Sequence, residues 1–463
     1  MSRSDAAGIT ANPSPARSEV HPARLGLLLG TIYGPVTFGI IAAAVAVPYI
    51  PEAAGPVSTV WLLSGYAIAL GVGTAVFGPL TERWGTLACL RLGSVLMLAG
   101  TAACLLSATP GAAVAGRVVL ALGSSAVVTV VLTIAAHVDA AHRRPLATAL
   151  GAVMTVFLSM ATLAGGFAAV VLGWRAAVVL PVLSVLVVPW VSRRHHRDGR
   201  PSNAFDGVGA ALLAVLAACT VGLTQITLLR PTTAVALLGG AVASGIALWV
   251  RARHRSDAFV PATLVREVQF RRVCLLAGCI YAARFSVVLV AGHLLANDGW
   301  TPLSSGMLLV PCAVAGVVLA HYLDRRRMPS SRALLLAAGA LVFVGVTPLA
   351  PAGPLVIMST IASSVVFTLG QPMLTVALAT LRTDRRGTAV GLAYFSGFAG
   401  GAGGTAVVAT LIPAIGAGPS IAVVAVACLS GAALALTRGS RDPAADRPGD
   451  AAGITPELKE AVH

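Results

Sequence analysis

Apolar stretches of membrane length recur along the chain from Leu25 almost to Thr437, and no other feature limits its fold so strongly. A bilayer's hydrocarbon core takes about 20 apolar residues per helix. The stretches are 25–50, 57–77, 87–107, 112–136, 146–172 and 176–191, then 207–229 and 233–250, then 273–296, 304–323, 333–349, 355–381, 388–413 and 419–437. They predict an all-α polytopic membrane protein of 14 transmembrane helices, spaced too closely to leave a separate soluble domain. A hydrophobic content of 57% against 11% charged residues agrees with a bilayer as solvent.

The breaks between the stretches sort by charge. One set holds Glu82 and Arg83, Arg143 and Arg144, the arginines of 193–200, 251–272, 325–332 and 382–386, and both tails; the other holds little beyond Glu52, Arg175, Arg230 and Asp298. Basic breaks mark the cytoplasmic side, and an even number of helices puts both termini there. Trp174 and Trp300 fall in the outer breaks, where aromatic rings suit the headgroup zone. Because the net charge of +15 is dispersed over alternate breaks, it describes orientation in a membrane and excludes a nucleic-acid footprint. Residues 1–23 are polar and proline-containing, without the pattern of a cleaved leader, so the first helix is expected to be retained.

Enzyme chemistry finds no foothold. There is no phosphate-cradling glycine loop, no metal-ligand spacing and no Gly-x-Ser-x-Gly, so neither a cofactor nor a metal is expected. The seven cysteines are scattered through apolar segments and read as small buried hydrophobes.

Two blocks of six helices around an inserted pair outline a repeat-built transporter. The expected division is a disordered cytoplasmic tail at 1–23, an N-terminal half at 24–191, a linker at 192–204, the inserted pair at 205–251, a linker at 252–272, a C-terminal half at 273–437 and a disordered cytoplasmic tail at 438–463. A charged turn follows the second helix of each block. The first is Gly78-Pro79-Leu80-Thr81-Glu82-Arg83-Trp84-Gly85 and the second Leu323-Asp324-Arg325-Arg326. Recurrence at the same place points to a shared role.

The stretch from Gly73 to Gly85 resembles the loop motif of the major facilitator superfamily, with Glu82 where that motif has an aspartate. Val45-Ala46-Val47-Pro48, Arg117 with Gly123, Phe205-Asp206, Asp257-Ala258-Phe259-Val260 and Leu323-Asp324-Arg325-Arg326 are similar to the fourteen-helix drug:proton antiporters, most of all to Gram-positive tetracycline efflux proteins. The resemblance runs from about Val45 to about Ile412 and implies a twelve-helix core in two halves that rock about a central cavity lined by helices 1, 4, 9 and 12. It also implies a cytoplasmic latch at the loop motif. Gly78, Glu82, Arg83, Gly85 and Asp139, with Asp324, Arg325 and Arg326 in the second half, are its candidate gating residues.

Two features depart from those antiporters. Their Gly-Pro of helix 5 is replaced by Ala161-Thr162, and no Asp or Glu lies inside a predicted span. Membrane carboxylates commonly carry the coupling proton, so if protons drive this protein, Glu82, Asp139, Asp298 or His293 would have to take part, or the substrate would carry its own proton. The spans contain arginine instead, Arg117 in helix 4 and Arg284 near the middle of helix 9. A guanidinium at the bilayer centre costs roughly 2.5–3.5 kcal/mol. Arg284 must therefore face inward, either clamping polar groups of a neighbouring helix or countering a substrate anion. Tyr281 shares its helical face, and Tyr33, Thr37 and Gln371 are further polar groups on the cavity helices. With Arg284 and Arg117 they form the candidate substrate site.

The resulting expectation is a monomeric secondary transporter of a multi-pass bacterial plasma membrane. It would export a small amphipathic antibiotic-like molecule by proton antiport, with the small molecule, protons and the lipid bilayer as its partners. Two alternatives stand beside it: a uniporter or importer of an anionic metabolite, and a non-transporting receptor on a transporter scaffold.

Overall fold

The computed structural model describes residues 22–46, 49–50, 55–189, 206–223, 231–255, 258–326, 330–347, 352–381, 383 and 385–437. Both tails, the linker arginines of 193–200, Pro48, Glu52, Arg230, Asp257 and Arg382 lie outside the described residues.

Among those residues the protein is a bundle of helices without a strand. Helix α1 runs Pro22–Val45, interrupted by a 3-10 turn at Gly34–Thr37. Pro35 lacks the amide an α-helix would use there, and Thr37 Oγ1 bonds Gly34 O at 2.6 Å. One helical run, Gly55–Leu105, bends at Gly85 into arms named here α2 and α3. Gly85 has φ 79°, a left-handed conformation that a side chain resists, which explains why the charged turn ends on glycine.

Helix α4 (Pro110–His137), α5 (Ala140–Val171) and the short α6 (Trp174–Val179) follow. Next come α7 (Gly207–Leu223) and α8 (Pro231–His254), then α9 (Val268–Asn297), α10 (Pro302–Arg325), α11 (Ser330–Val346), α12 (Ala352–Thr380), α13 (Arg386–Ile415) and α14 (Ala417–Thr437). Thr109 and Thr301 start α4 and α10 in the same way. Each threonine hydroxyl accepts an amide of the first turn, from Ala112 at 3.3 Å and Ser304 at 3.2 Å, with proline next in sequence.

Among the described residues, 10 helices are long and apolar enough to cross a membrane, and the segments Trp174–Leu186, Gly207–Thr220 and Ser331–Val346 are shorter apolar helices. The sequence predicts a span at 176–191; instead α6 passes at Leu180 into a 3-10 segment, Leu180–Leu186. Pro181 cannot donate to the preceding turn, and the tighter winding accommodates it.

Two groups of helices, α1–α6 and α9–α14, meet along equivalent seams. The α2–α3 run packs on α13, while α5 packs on α10 and α12. The closest approach is between backbones: a Cβ built on Gly78 would stand 2.5 Å from Gly387 O, and one on Gly387 would stand 2.5 Å from Gly78 O. The pair α7–α8 rests mainly against the α2–α3 run.

Candidate functional site

Arg284 lies near the middle of the 30-residue α9 and is wholly buried. Its Nη1 donates to Ser363 Oγ of α12 at 3.1 Å, and its Nη2 to Ser159 Oγ at 2.5 Å and to Thr155 O at 3.4 Å, both on α5. Nε has no partner. The guanidinium therefore spans the seam between the two helix groups, and no carboxylate among the described residues touches it. A second bond across the seam joins Thr155 Oγ1 to Thr368 Oγ1 at 2.9 Å.

One turn earlier on α9, Tyr281 extends the same polar track. Its hydroxyl faces that of Tyr33 from α1 at 3.4 Å. Tyr394 of α13 donates to Gln371 Oε1 at 3.2 Å, while the buried Gln371 Nε2 lacks a partner. The rings of Phe285, Phe367, Tyr394 and Phe398 surround Tyr281 edge-on at centroid distances of 5.6, 5.2, 6.2 and 5.3 Å. The glycines of α13 make this packing possible, since a Cβ on Gly401 would stand 2.6 Å from the Phe285 ring.

The structure thus brings Tyr33, Tyr281, Gln371 and Arg284 into one buried region. Thr37 and Arg117 sit elsewhere. Thr37 bonds its own helix. Arg117 is just as buried as Arg284, but its three donors go to backbone carbonyls of the first group: Nε to Leu62 O at 2.6 Å, Nη1 to Val178 O at 2.5 Å and Nη2 to Gly39 O at 2.5 Å. Its guanidinium also lies 4.7 Å from the centre of the Tyr66 ring.

Several groups at the seam escape a reading of the sequence: Thr155, Ser159, Ser363, Thr368 and Tyr394. Ser and Thr in membrane helices usually bond their own backbone, as Ser124, Thr129 and Thr375 do here. A usable signal exists on α12, where Thr360, Ser363, Ser364, Thr368 and Gln371 fall within three turns. All are buried.

At the bend between α2 and α3, Glu82 caps the opposite group. Its Oε1 accepts the Thr388 amide at 3.0 Å and its Oε2 the Thr388 hydroxyl at 3.4 Å, placing a carboxylate at the N-terminus of α13. The second charged turn behaves likewise, with Asp324 at the end of α10 pairing with Arg144 at the start of α5. Arg83 and Asp139 are exposed. Arg326 folds back on Tyr322, donating to its hydroxyl at 2.9 Å, and Arg325 is exposed at the same helix end.

Asp206, just before α7, forms a third polar cluster. It accepts the Gly209 and Phe259 amides at 3.0 and 3.1 Å and pairs with Arg251 of α8 at 2.5 Å. Burial pushes the carboxyl up, but the Arg251 hydrogen bond, the two amides and the Arg251 charge outweigh it and hold the group below its ordinary value.

Membrane-length helices in two groups, with uncharged and cationic polar side chains converging midway between them, define a solute carrier. The chain belongs to the Major Facilitator Superfamily, whose sequence model matches residues 27–405. Members of that superfamily are transporters, not enzymes.

An uncharacterized MFS-type transporter of Mycobacterium tuberculosis (strain ATCC 25618 / H37Rv) is 25% identical over 283 residues, 58% of this chain and 47% of the relative. The match thus spans about half the length of that relative. Among solved structures, the human organic anion transporter MFSD10 (TETRAN) aligns with a TM-score of 0.59 at 17% identity, covering 89% of this chain and 98% of that one. The peptide transporter POT in complex with sulfate gives 0.58 at 18%, over 90% and 94%. The proton:xylose symporter XylE gives 0.58 at 13%, over 89% and 94%. These likenesses show the fold.

Proposed function

We propose that the protein is a secondary active exporter of a small amphipathic, antibiotic-like molecule carrying an anionic or zwitterionic group, driven by proton antiport in a bacterial plasma membrane. In this reading it has fourteen spans, both termini are cytoplasmic, and the two halves of 24–191 and 273–437 rock about the Arg284 region. Glu82, Asp324 and their neighbours act as the gate. The inserted pair of 205–251 stands outside the transport core, and the carrier works as a monomer.

One observation carries the substrate assignment: Arg284 is a buried cation at mid-helix, bonded by both helix groups and without a carboxylate partner among the described residues. A solitary charge in that position is costly, and a substrate anion would offset the cost. Tyr281, Tyr33 and Gln371 supply further hydrogen-bonding groups and an aromatic wall for an amphipathic body.

The test is uptake into everted vesicles with and without an imposed pH gradient, guided by a drug-susceptibility panel in an efflux-deficient host. Gradient-driven uptake of a compound to which the protein confers resistance supports the reading. Indifference to the gradient ends the antiport claim. A uniporter or importer of an anionic metabolite is the second reading, favoured by the position of the described carboxylates: Glu82, Asp139, Asp206, Glu267, Asp298 and Asp324 all lie at turns or helix ends.

A further inference from the structure

Transport needs two passages through a closed state, one with substrate bound and one without it, and the polar partners of Arg284 differ between them. In the structure the site is closed around its own side chains, with Arg284, Ser159, Ser363 and Gln371 all sealed from solvent. The guanidinium is then bonded by two hydroxyls, Ser159 from α5 and Ser363 from α12, one from each helix group. Ser363 is oriented for this, because its own proton goes to Thr360 O at 3.1 Å, leaving lone pairs for Nη1. Arg117 has no such arrangement, since all its carbonyl partners belong to the first group.

We infer that Ser159 and Ser363 act as a stand-in for the substrate's anionic group, satisfying Arg284 while the substrate-free carrier closes. The inference rests on the reading of Arg284 as the site of a substrate anion. A carboxylate accepts the guanidinium better than neutral hydroxyls do, so it displaces them on binding, and once bound it makes them dispensable. Without the hydroxyls, the substrate-free closed state retains only Thr155 O at 3.4 Å and holds an almost unpaired buried cation. The hydroxyls are therefore positioning groups for the return step. They let the protein run net transport instead of obligatory exchange.

The experiment compares net efflux with exchange in proteoliposomes, using a fluorescent methoxycoumarin carboxylate and its neutral carboxamide, each corrected for protein-free liposomes. In the Ser159→Ala/Ser363→Ala double variant, which removes both hydroxyl partners of the guanidinium, net efflux of the carboxylate should fall about 100-fold, the rate equivalent of two charge-assisted hydrogen bonds. Carboxylate-for-carboxylate exchange should stay within about twofold of wild type, a retention that also shows the variant is folded. Ser159→Thr in the Ser363 wild-type background keeps a hydroxyl and should preserve both modes.

Equal loss of net efflux and exchange, or no change in either, overturns the inference. If wild type carries the carboxamide but not the carboxylate, the inference falls together with the assignment of an anionic substrate, while export itself survives. If it carries neither, the export reading falls and takes the inference with it.

Discussion

Arg117 and Arg284 are the same residue, equally buried in the same bundle, yet they are bonded in opposite ways. Arg117 spends its guanidinium on three carbonyls belonging to α1, α2 and α6, all inside one helix group. Arg284 bonds side chains on both sides of the seam and keeps one nitrogen free. In the proposed rocking cycle a clamp within one group never has to open, whereas a tie across the seam must break each time. The partner's location, more than the depth of burial, separates the arginine that clamps one group from the one proposed to meet a cargo.

The sharpest way to break this comparison is Arg117→Leu. Three hydrogen bonds from a charged donor to backbone carbonyls are lost and the first group loses its internal clamp, so stability should fall by about 3–5 kcal/mol. The measurement is thermal unfolding in detergent, monitored by loss of the monodisperse peak. A fall no larger than that of Arg284→Met would erase the distinction.

Arg284→Met should leave stability unchanged or raise it slightly, because a buried cation without a carboxylate is replaced by an apolar chain of similar reach. Export of an anionic substrate should nevertheless drop about 100-fold, as expected for the loss of two charge-assisted hydrogen bonds. Vesicle transport and melting, measured on the same preparation, separate the two effects.

Arg251 sharpens the comparison by showing an arginine that does have a buried acid. Asp206→Asn should cost about 2 kcal/mol through loss of the charged hydrogen bonds. The folded carboxyl is held below its ordinary value, so the Asp206 contribution is present above the unfolded carboxylate value of about 3.9 and is lost as pH falls through the lower folded value. Melting curves of wild type and Asp206→Asn should differ at neutral pH and converge only in strong acid. Convergence near pH 6 would contradict the assignment.

Arg144→Ala, at an ion pair whose side chains are 54% and 26% exposed, should change stability by under about 1 kcal/mol. Its effect should instead appear in the rate of gate opening, read by labelling a single cysteine engineered at the seam.

Much of the architecture is legible in the sequence because the bilayer imposes it. Helix length follows from hydrocarbon thickness, and the charged turn ending on Gly85 marks the break between the second and third spans. α6 is less legible, since apolar composition alone does not say where Pro181 will tighten the helix into a 3-10 segment. At the site, the value of Arg284, Tyr281 and Gln371 is visible because charged and large polar groups are rare in spans. Thr155, Ser159 and Ser363 are not, because a helical hydroxyl can always return to its own backbone.

By itself, then, the sequence determined a polytopic helical protein with repeated charged turns, a carrier's outline and two unusual intramembrane arginines. The tertiary structure alone decided which arginine stays within one helix group and which joins two, that Glu82 meets Thr388 while Asp324 meets Arg144, and which hydroxyls turn toward Arg284. The physical reason is range. Hydropathy, capping and proline act over a few residues and can be read locally, whereas the partners of Arg117 and Arg284 lie between 55 and 129 residues away and are chosen only when the bundle closes.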